Sequence, residues 1–367
     1  MLVPAHLLTP PTPRAAAPPR PTAVTRVVLR AGIAVLAAAC ASDDVTAPPR
    51  PGEGVFTVDA STRWAYVSLR DSAVVTPTPS AGESAGWDIA FNATNVMLNG
   101  GAAGPGGVTG ACVCQNAAAA NAELLAMTTA SEQADFEAVT AVPAGATFVP
   151  EALTPAVAGW FTGTGATAVA DPAKAWLVRH GDSLTVSKVR VASIDGATAA
   201  SAGRVTLEYA VQPAGAAAFG PARTLVVDLT TAGAKHVDLD AGALTTEAPA
   251  SGAGAWDLRL DGFTVRVNGG VSGPGKGGAT PATAGFAGTA TATGVPGNAY
   301  RTDGYAGVFA AHRYYRYNIG GDNRITPTFD VYLVRRGAAV YKLQVLDYYS
   351  TTGQPRHITF RYQQIAG

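Results

Sequence analysis

Beyond residue 55, apolar and polar residues alternate through much of the chain with a period of two. Trp87, Ile89 and Phe91 alternate with Asp88, Ala90 and Asn92, which predicts a strand with its large apolar groups on one face. After a turn, Val96 and Leu98 point one way while Asn95, Met97 and Asn99 point the other, so Met97 is expected on the polar side. The alternation returns with Val265 and Val267 inward and Thr264, Arg266 and Asn268 outward. Further strands are predicted at Trp176–Arg179, Leu184–Val191, Arg204–Val211, Val331–Arg335, Val340–Asp347 and Ile358–Tyr362. Gly, Pro or Asn closes nearly every one of them, as turns require. One segment departs from the pattern: Asn116–Met127, rich in Ala, Leu and Glu, predicts a helix. The expected fold class is all-β, with long Gly-rich connections and little helix.

The pattern belongs to a unit used twice. Trp87-Asp88-Ile89 recurs as Trp256-Asp257-Leu258, and the match runs without a gap to Asn99-Gly100-Gly101 and Asn268-Gly269-Gly270. Both continue into a Gly-Pro-Gly turn, Gly104-Pro105-Gly106 and Gly273-Pro274-Gly275. Upstream, Val58-Asp59 matches Val227-Asp228, and Val67-Ser68-Leu69 matches Val237-Asp238-Leu239. Downstream, residues 175–181 answer 331–337, which sets His180 against Arg336, and residues 204–209 answer 357–362. Blocks repeated in the same order mark a tandem duplication. The expected organisation is a domain over 55–212, a small-residue and Pro linker over 213–224, and a second domain over 225–367. Residues present in both units, such as the Trp-Asp pairs and the two Asn, are expected to serve the fold.

Charge narrows the function classes. The chain carries 26 basic and 26 acidic residues, so it has no net charge with which to attract nucleic acid. At 47% hydrophobic and 14% charged it lacks the composition of a disordered chain. No run of 18 apolar residues predicts a spanning helix. Residues 1–39 read as a secretory signal: Arg26 and Arg30 flank the apolar stretch Ala31–Ala39, and small residues precede Cys40. A start nearer Val27 would give a basic region of the usual length. Cys after small residues makes the signal similar to that of a bacterial lipoprotein, with Cys40 lipidated and residues 40–54 forming a Pro-rich tether. The alternative is ordinary secretion with Cys40 as a free thiol. Ala41 in place of Asp makes the outer membrane the expected address, and the side of that membrane stays open.

Trp-Asp-Ile/Leu followed by Asn-Gly-Gly and Gly-Pro-Gly, together with Tyr332-Leu333-Val334-Arg335 and Ile358-Thr359-Phe360-Arg361-Tyr362, resembles the HmuY-like family of bacterial lipoproteins, once per copy. The resemblance implies a mostly-β fold, export as a lipoprotein, and haem as a ligand gripped by His or Met. It also implies, as partners, a haem-carrying protein or an outer-membrane receptor. His312, flanked by Phe309, Tyr314 and Tyr315, is the first ligand candidate; Met97 and His180 are the others. His180 is otherwise an exposed turn residue, while His236 and His357 sit at strand edges and His6 lies in the signal. A second reading keeps the domains as an adhesion or scaffold module without haem.

No hydrolase signature is present, and no enzyme is expected. Gly270–Gly277 nearly spells a phosphate loop, yet Gly278-Ala279-Thr280-Pro281 follows it instead of a helix start. Cys112 and Cys114, outside the cytoplasm, are expected to oxidise, either with each other or between molecules. The other reading, a soft-metal pair, lacks nearby Cys or His partners in the sequence.

Overall fold

The computed structural model describes residues 53–78, 80–245 and 255–367. The signal segment, Cys40 and the tether up to residue 52 lie outside the described residues. Glu53 and Gly54, expected to end the tether, already open the strand Glu53–Asp59. Among the described residues, no helix is long and apolar enough to cross a membrane.

The described chain is mostly β, as the alternation requires. One five-stranded antiparallel sheet runs, in spatial order, Glu53–Asp59, Pro355–Ile365, Ala339–Tyr349, Val331–Arg336 and Val108–Cys112. A second runs Arg223–Asp228, Arg204–Gln212, Val186–Asp195, Trp176–Arg179 and Gly278–Pro281. Two four-stranded sheets accompany them, one from residues 65–98 and the other from residues 235–267.

The sheets do not follow the two sequence copies. In each five-stranded sheet the two outer strands come from one copy and the three inner strands from the other. Residues 53–112 therefore fold with residues 331–365 into a first lobe, and residues 176–212 fold with 223–281 into a second. The expected linker at 213–224 explains the exchange. It is the loop of a hairpin joining Arg204–Gln212 to Arg223–Asp228, which pair directly from Arg204 opposite Asp228 to Tyr209 opposite Arg223. Gly220 N–H donates to Val211 O (2.9 Å) and Gln212 Nε2 to Ala216 O (2.7 Å), tightening that loop. A short hairpin closes at little entropic cost. Once it has closed, the inner strand that Glu53–Asp59 would meet in its own copy is taken, and it pairs with Pro355–Ile365 instead.

Each lobe buries the inward faces of its two sheets against each other. Ile89, Phe91 and Leu98 meet Tyr332, Leu343 and Phe360 in the first lobe; Leu258, Val265 and Val267 meet Val178, Val189 and Leu207 in the second. Full burial of each such side chain contributes about 1.5–3 kcal/mol. Trp87 departs from the predicted face. The strand begins only at Ile89, and Trp87 packs on the other side with Ala90, Met97 and Ala103, its Nε1 donating to Ala81 O at 3.0 Å. Met97, expected on the polar side, is only 5% exposed for the same reason: Trp87, Trp64 and Tyr305 cover that face. The predicted helix Asn116–Met127 contracts to Asn121–Ala126. Asn116 is held in a loop, its N–H on the Asp330 carboxylate (2.9 Å) and its amide on Thr328 O (3.0 Å).

Repeated residues lock the exchange. The buried Asp88 of copy one accepts Leu69 N–H (2.8 Å) and pairs with Arg336 of copy two. Asp257 of copy two accepts Leu239 N–H (2.9 Å) and faces His180 of copy one, Nδ1 to carboxylate 3.4 Å. On the outer face of each large sheet a short helix inserts a Phe between a Lys and an Arg. Phe136 lies under Lys342 and Arg361, and Phe286 under Lys188 and Arg190. In both cases the Phe and the cations come from different copies. The repeated Asn, expected to serve the fold, brace their turns: Asn99 donates to Trp87 O and accepts from Gly106 N–H, and Asn268 does the same with Trp256 and Gly275.

Candidate functional site

The chain passes between the lobes twice, and the two passages touch. Ala152–Thr154, leaving the first lobe, pairs antiparallel with Gly304–Ala306, returning to it. Each passage is preceded by a buried acid. Glu151 accepts Leu98 N–H (3.0 Å), and burial pushes its carboxyl up to about 7 despite that bond. Asp303 accepts Ala156 N–H (2.7 Å) and Val267 N–H (2.9 Å), and burial raises it too. Gly101 and Gly270 lie against the carbonyls of these acids at φ of 61° and 64°. A Cβ at either would strike the Glu151 or Asp303 carbonyl oxygen, so the crossing requires glycine there.

A cleft of about 440 Å³ opens beside the crossing. Met97, Trp64, Tyr305, Phe309 and Tyr315 line it, with Arg301 and Arg313 exposed at its edge. Trp64, Asn92 and Gly270 also border a neighbouring depression of about 910 Å³ that reaches the Gly273-Pro274-Gly275 turn of the second lobe. Both volumes fall in the range of small-molecule and cofactor sites. The lining combines four aromatic rings and one thioether with two guanidinium groups, the Asp303 carboxylate and the polar residues Asn92, Asn95 and Thr302. It can meet both an apolar face and anionic substituents of a ligand.

The three ligand candidates occupy three different surroundings. Met97 lines the cleft. His180 is no exposed turn residue: it is 1% exposed inside the second lobe, because the exchange brings Asp257 over it. Both its ring nitrogens are engaged, Nδ1 with Asp240 (3.0 Å) and Nε2 with Ser187 Oγ (2.8 Å). Burial alone would lower the His180 pKa, but the Asp240 hydrogen bond and the charges of Asp257, Asp240 and Asp182 outweigh it and raise the value. The Ser187–His180–Asp240 order resembles a nucleophile with its base, yet Ser187 is fully buried and meets no solvent. His312 is exposed at the end of the helix Val308–Ala311, where its ring lies against Cys112 and Cys114.

Cys112 and Cys114 are joined to each other, with Cα atoms 5.1 Å apart. The Gly-rich stretch at 270–277 spends its amides on the protein itself, Lys276 N–H on Gly181 O (2.9 Å) and Gly277 N–H on Asn268 O (2.8 Å), in keeping with a turn of the fold. Sequence reasoning missed Glu151, Asp303 and Asp240. The first two stand at the crossing, out of the register of the repeat, and Asp240 is legible only once His180 is known to be buried beside it.

The family model described as HmuY protein matches residues 60–209. No curated protein matches the chain. Among solved structures, a protein described as an HmuY-like heme binding protein from Bacteroides vulgatus ATCC 8482 is similar at 10% identity and a TM-score of 0.33, over 87% of this chain and 95% of that one. A protein described as a lipoprotein from Bacteroides fragilis NCTC 9343 is similar at 11% identity and a TM-score of 0.33, over 87% and 92%. The apo form of an HmuY analog from Tannerella forsythia is similar at 11% identity and a TM-score of 0.27, over 86% and 96%. Residues 60–209 of this chain are thus similar to the HmuY family.

Proposed function

We propose that the protein is a cell-envelope binding protein, anchored through lipid on Cys40, that takes haem or a related porphyrin in the cleft beside the lobe crossing. The observation that carries this reading is the gathering of Met97, four aromatic side chains and two arginines around one cleft of about 440 Å³. Aromatic faces suit the macrocycle, Arg301 and Arg313 suit its carboxylates through charge-assisted hydrogen bonds, and the Met97 thioether suits its iron. The resemblance of residues 60–209 to the HmuY family supports the choice of ligand. The Pro-rich tether would hold the lobes off the membrane, where a haem-carrying protein or a receptor can reach them. Binding, not catalysis, is the role this assigns.

Haemin titrated into residues 41–367 should give a saturable, shifted Soret band at one equivalent. Met97→Ala should weaken it by about tenfold or more and alter the band of the reduced iron, while His312→Ala leaves it in place. A flat titration with only broad nonspecific absorbance would overturn the haem reading and leave the scaffold reading.

A further inference from the structure

We propose that Cys112, Cys114 and His312 form a binding site for Cu(I) once their disulfide is reduced, a site independent of the cleft and of the haem reading. One ligand atom from each of the three lies within 4.8 Å of the others. The sequence places the cysteines some 200 residues from His312. The strand exchange unites them: Val108–Cys112 pairs with Val331–Arg336, Cys112 opposite Tyr332, and Phe309 beside His312 stacks on Tyr332 at 4.4 Å.

The geometry does not depend on the S–S bond. Val113 N–H donates to Val331 O (2.9 Å), Val331 N–H to Gln115 Oε1 (3.1 Å) and Gln115 Nε2 to Phe329 O (3.1 Å). With the Asn116–Asp330 bond, these fasten the cysteine loop to the neighbouring strand on both sides of Cys114. His312 is fastened as well: its N–H donates to Val308 O (2.8 Å) and its carbonyl accepts the Tyr332 hydroxyl (2.9 Å). Reduction therefore leaves two thiols and an imidazole facing one another on a held backbone. Around a metal with bonds of about 2.3 Å to sulfur and about 2.0 Å to nitrogen, ligand atoms stand roughly 3.5–4 Å apart. Small side-chain rotations suffice to reach that spacing. The cysteines are half-buried and His312 is exposed, so an ion has access.

Two thiolates and one imidazole make a soft, three-coordinate set, which favours Cu(I) over harder cations. Zn(II) is less suited, since its structural sites close with four ligands, and the cluster offers three. The chemistry balances with a dithiol reductant. It gives two electrons and two protons to the Cys112–Cys114 bond and closes to its own disulfide. Cu(I) then displaces both thiol protons to solvent, leaving a bis-thiolate imidazole complex with net charge −1.

The test uses residues 41–367, oxidised or reduced with a dithiol that is then removed under nitrogen, and titrated with Cu(I) against the chromophoric chelator bicinchoninate. Reduced protein should withdraw one equivalent of Cu(I) and oxidised protein none. His312→Ala should weaken the reduced form by about 10- to 100-fold, and Cys112→Ser/Cys114→Ser should abolish binding. In the wild-type protein, where folding is not in question, Cu(I) should protect both thiols from iodoacetamide. Equal Cu(I) uptake by oxidised and reduced protein, unprotected thiols, or one-to-one Zn(II) uptake without Cu(I) would each overturn the proposal.

Discussion

Residues 155–303, expressed alone, should fold into a stable domain, although the fragment straddles the boundary expected from the repeat. It contains the end of copy one and the beginning of copy two. It also contains every strand of the second five-stranded sheet and of its four-stranded companion. Its core is complete: Val178, Val189, Leu207 and Tyr209 from copy one meet Val237, Leu258 and Val265 from copy two. Asp303, which ends the fragment, keeps its bonds to Ala156 and Val267. At about 150 residues the fragment has the usual domain size and should unfold cooperatively with a stability of about 5–15 kcal/mol. Circular dichroism with urea denaturation reads this directly. A fragment lacking a cooperative transition would mean that its two half-copies do not complete one another.

The second large effect concerns the paired acids. Asp88→Ala should destabilise the first lobe by about 3–5 kcal/mol, because it leaves the mostly buried Arg336 guanidinium, still bonded to the Trp87 and Ala85 carbonyls, without its counter-charge and the Leu69 N–H without its acceptor. Asp228→Ala, which removes the exposed partner of Arg204, should have little effect. The second lobe uses His180 where the first uses Arg336, so its stability should depend on pH. The folded His180 pKa is raised, so the folded state binds its proton more tightly than the unfolded chain. The resulting stabilisation is complete below the ordinary value of 6.5 and is lost as pH rises through the raised value. Asp257, which burial pushes up to about 6, adds a loss of the same sign over lower pH, while Asp240, held low first by its hydrogen bond to His180, acts in the opposite sense in acid. Urea midpoints of residues 155–303 should therefore fall from pH 6.5 upward, and His180→Arg should flatten that fall. A midpoint that rises over this range would contradict the assignment.

Much of this was legible in the chain. Alternation placed the strands, and Asn99 and Asn268, expected from their repetition to serve the fold, brace the repeated turns. The repeat also carried a trace of the exchange. His180 answers Arg336, and both prove to neutralise the repeated Asp of the other copy. Alignment shows that a cation belongs there, but not which copy's acid it meets, since the two copies offer the same faces. That choice is made by the hairpin at 213–222, whose small residues and Pro read equally well as a linker. Met97 was misplaced because period-two alternation assumes a solvated outer face, and here Trp87 and Trp64 cover it. The Cys112–Cys114–His312 cluster was invisible because it exists only across the exchanged strands.

Strands exchange between the two copies, and a crosslinking experiment can trap the exchanged pairing. Thr57 and Thr359 stand opposite one another with hydroxyls 2.8 Å apart, while Thr206, which answers Thr359 in copy one, stands opposite Val226. In residues 41–367 with Cys112 and Cys114 replaced by Ser, Thr57→Cys with Thr359→Cys should close an intramolecular disulfide, and Thr57→Cys with Thr206→Cys should not. Mobility without reductant and the mass of the linked peptides read the outcome. The reverse pattern, a disulfide in the Thr57→Cys/Thr206→Cys variant and none in the Thr57→Cys/Thr359→Cys variant, would show each copy folding on itself and would contradict the account.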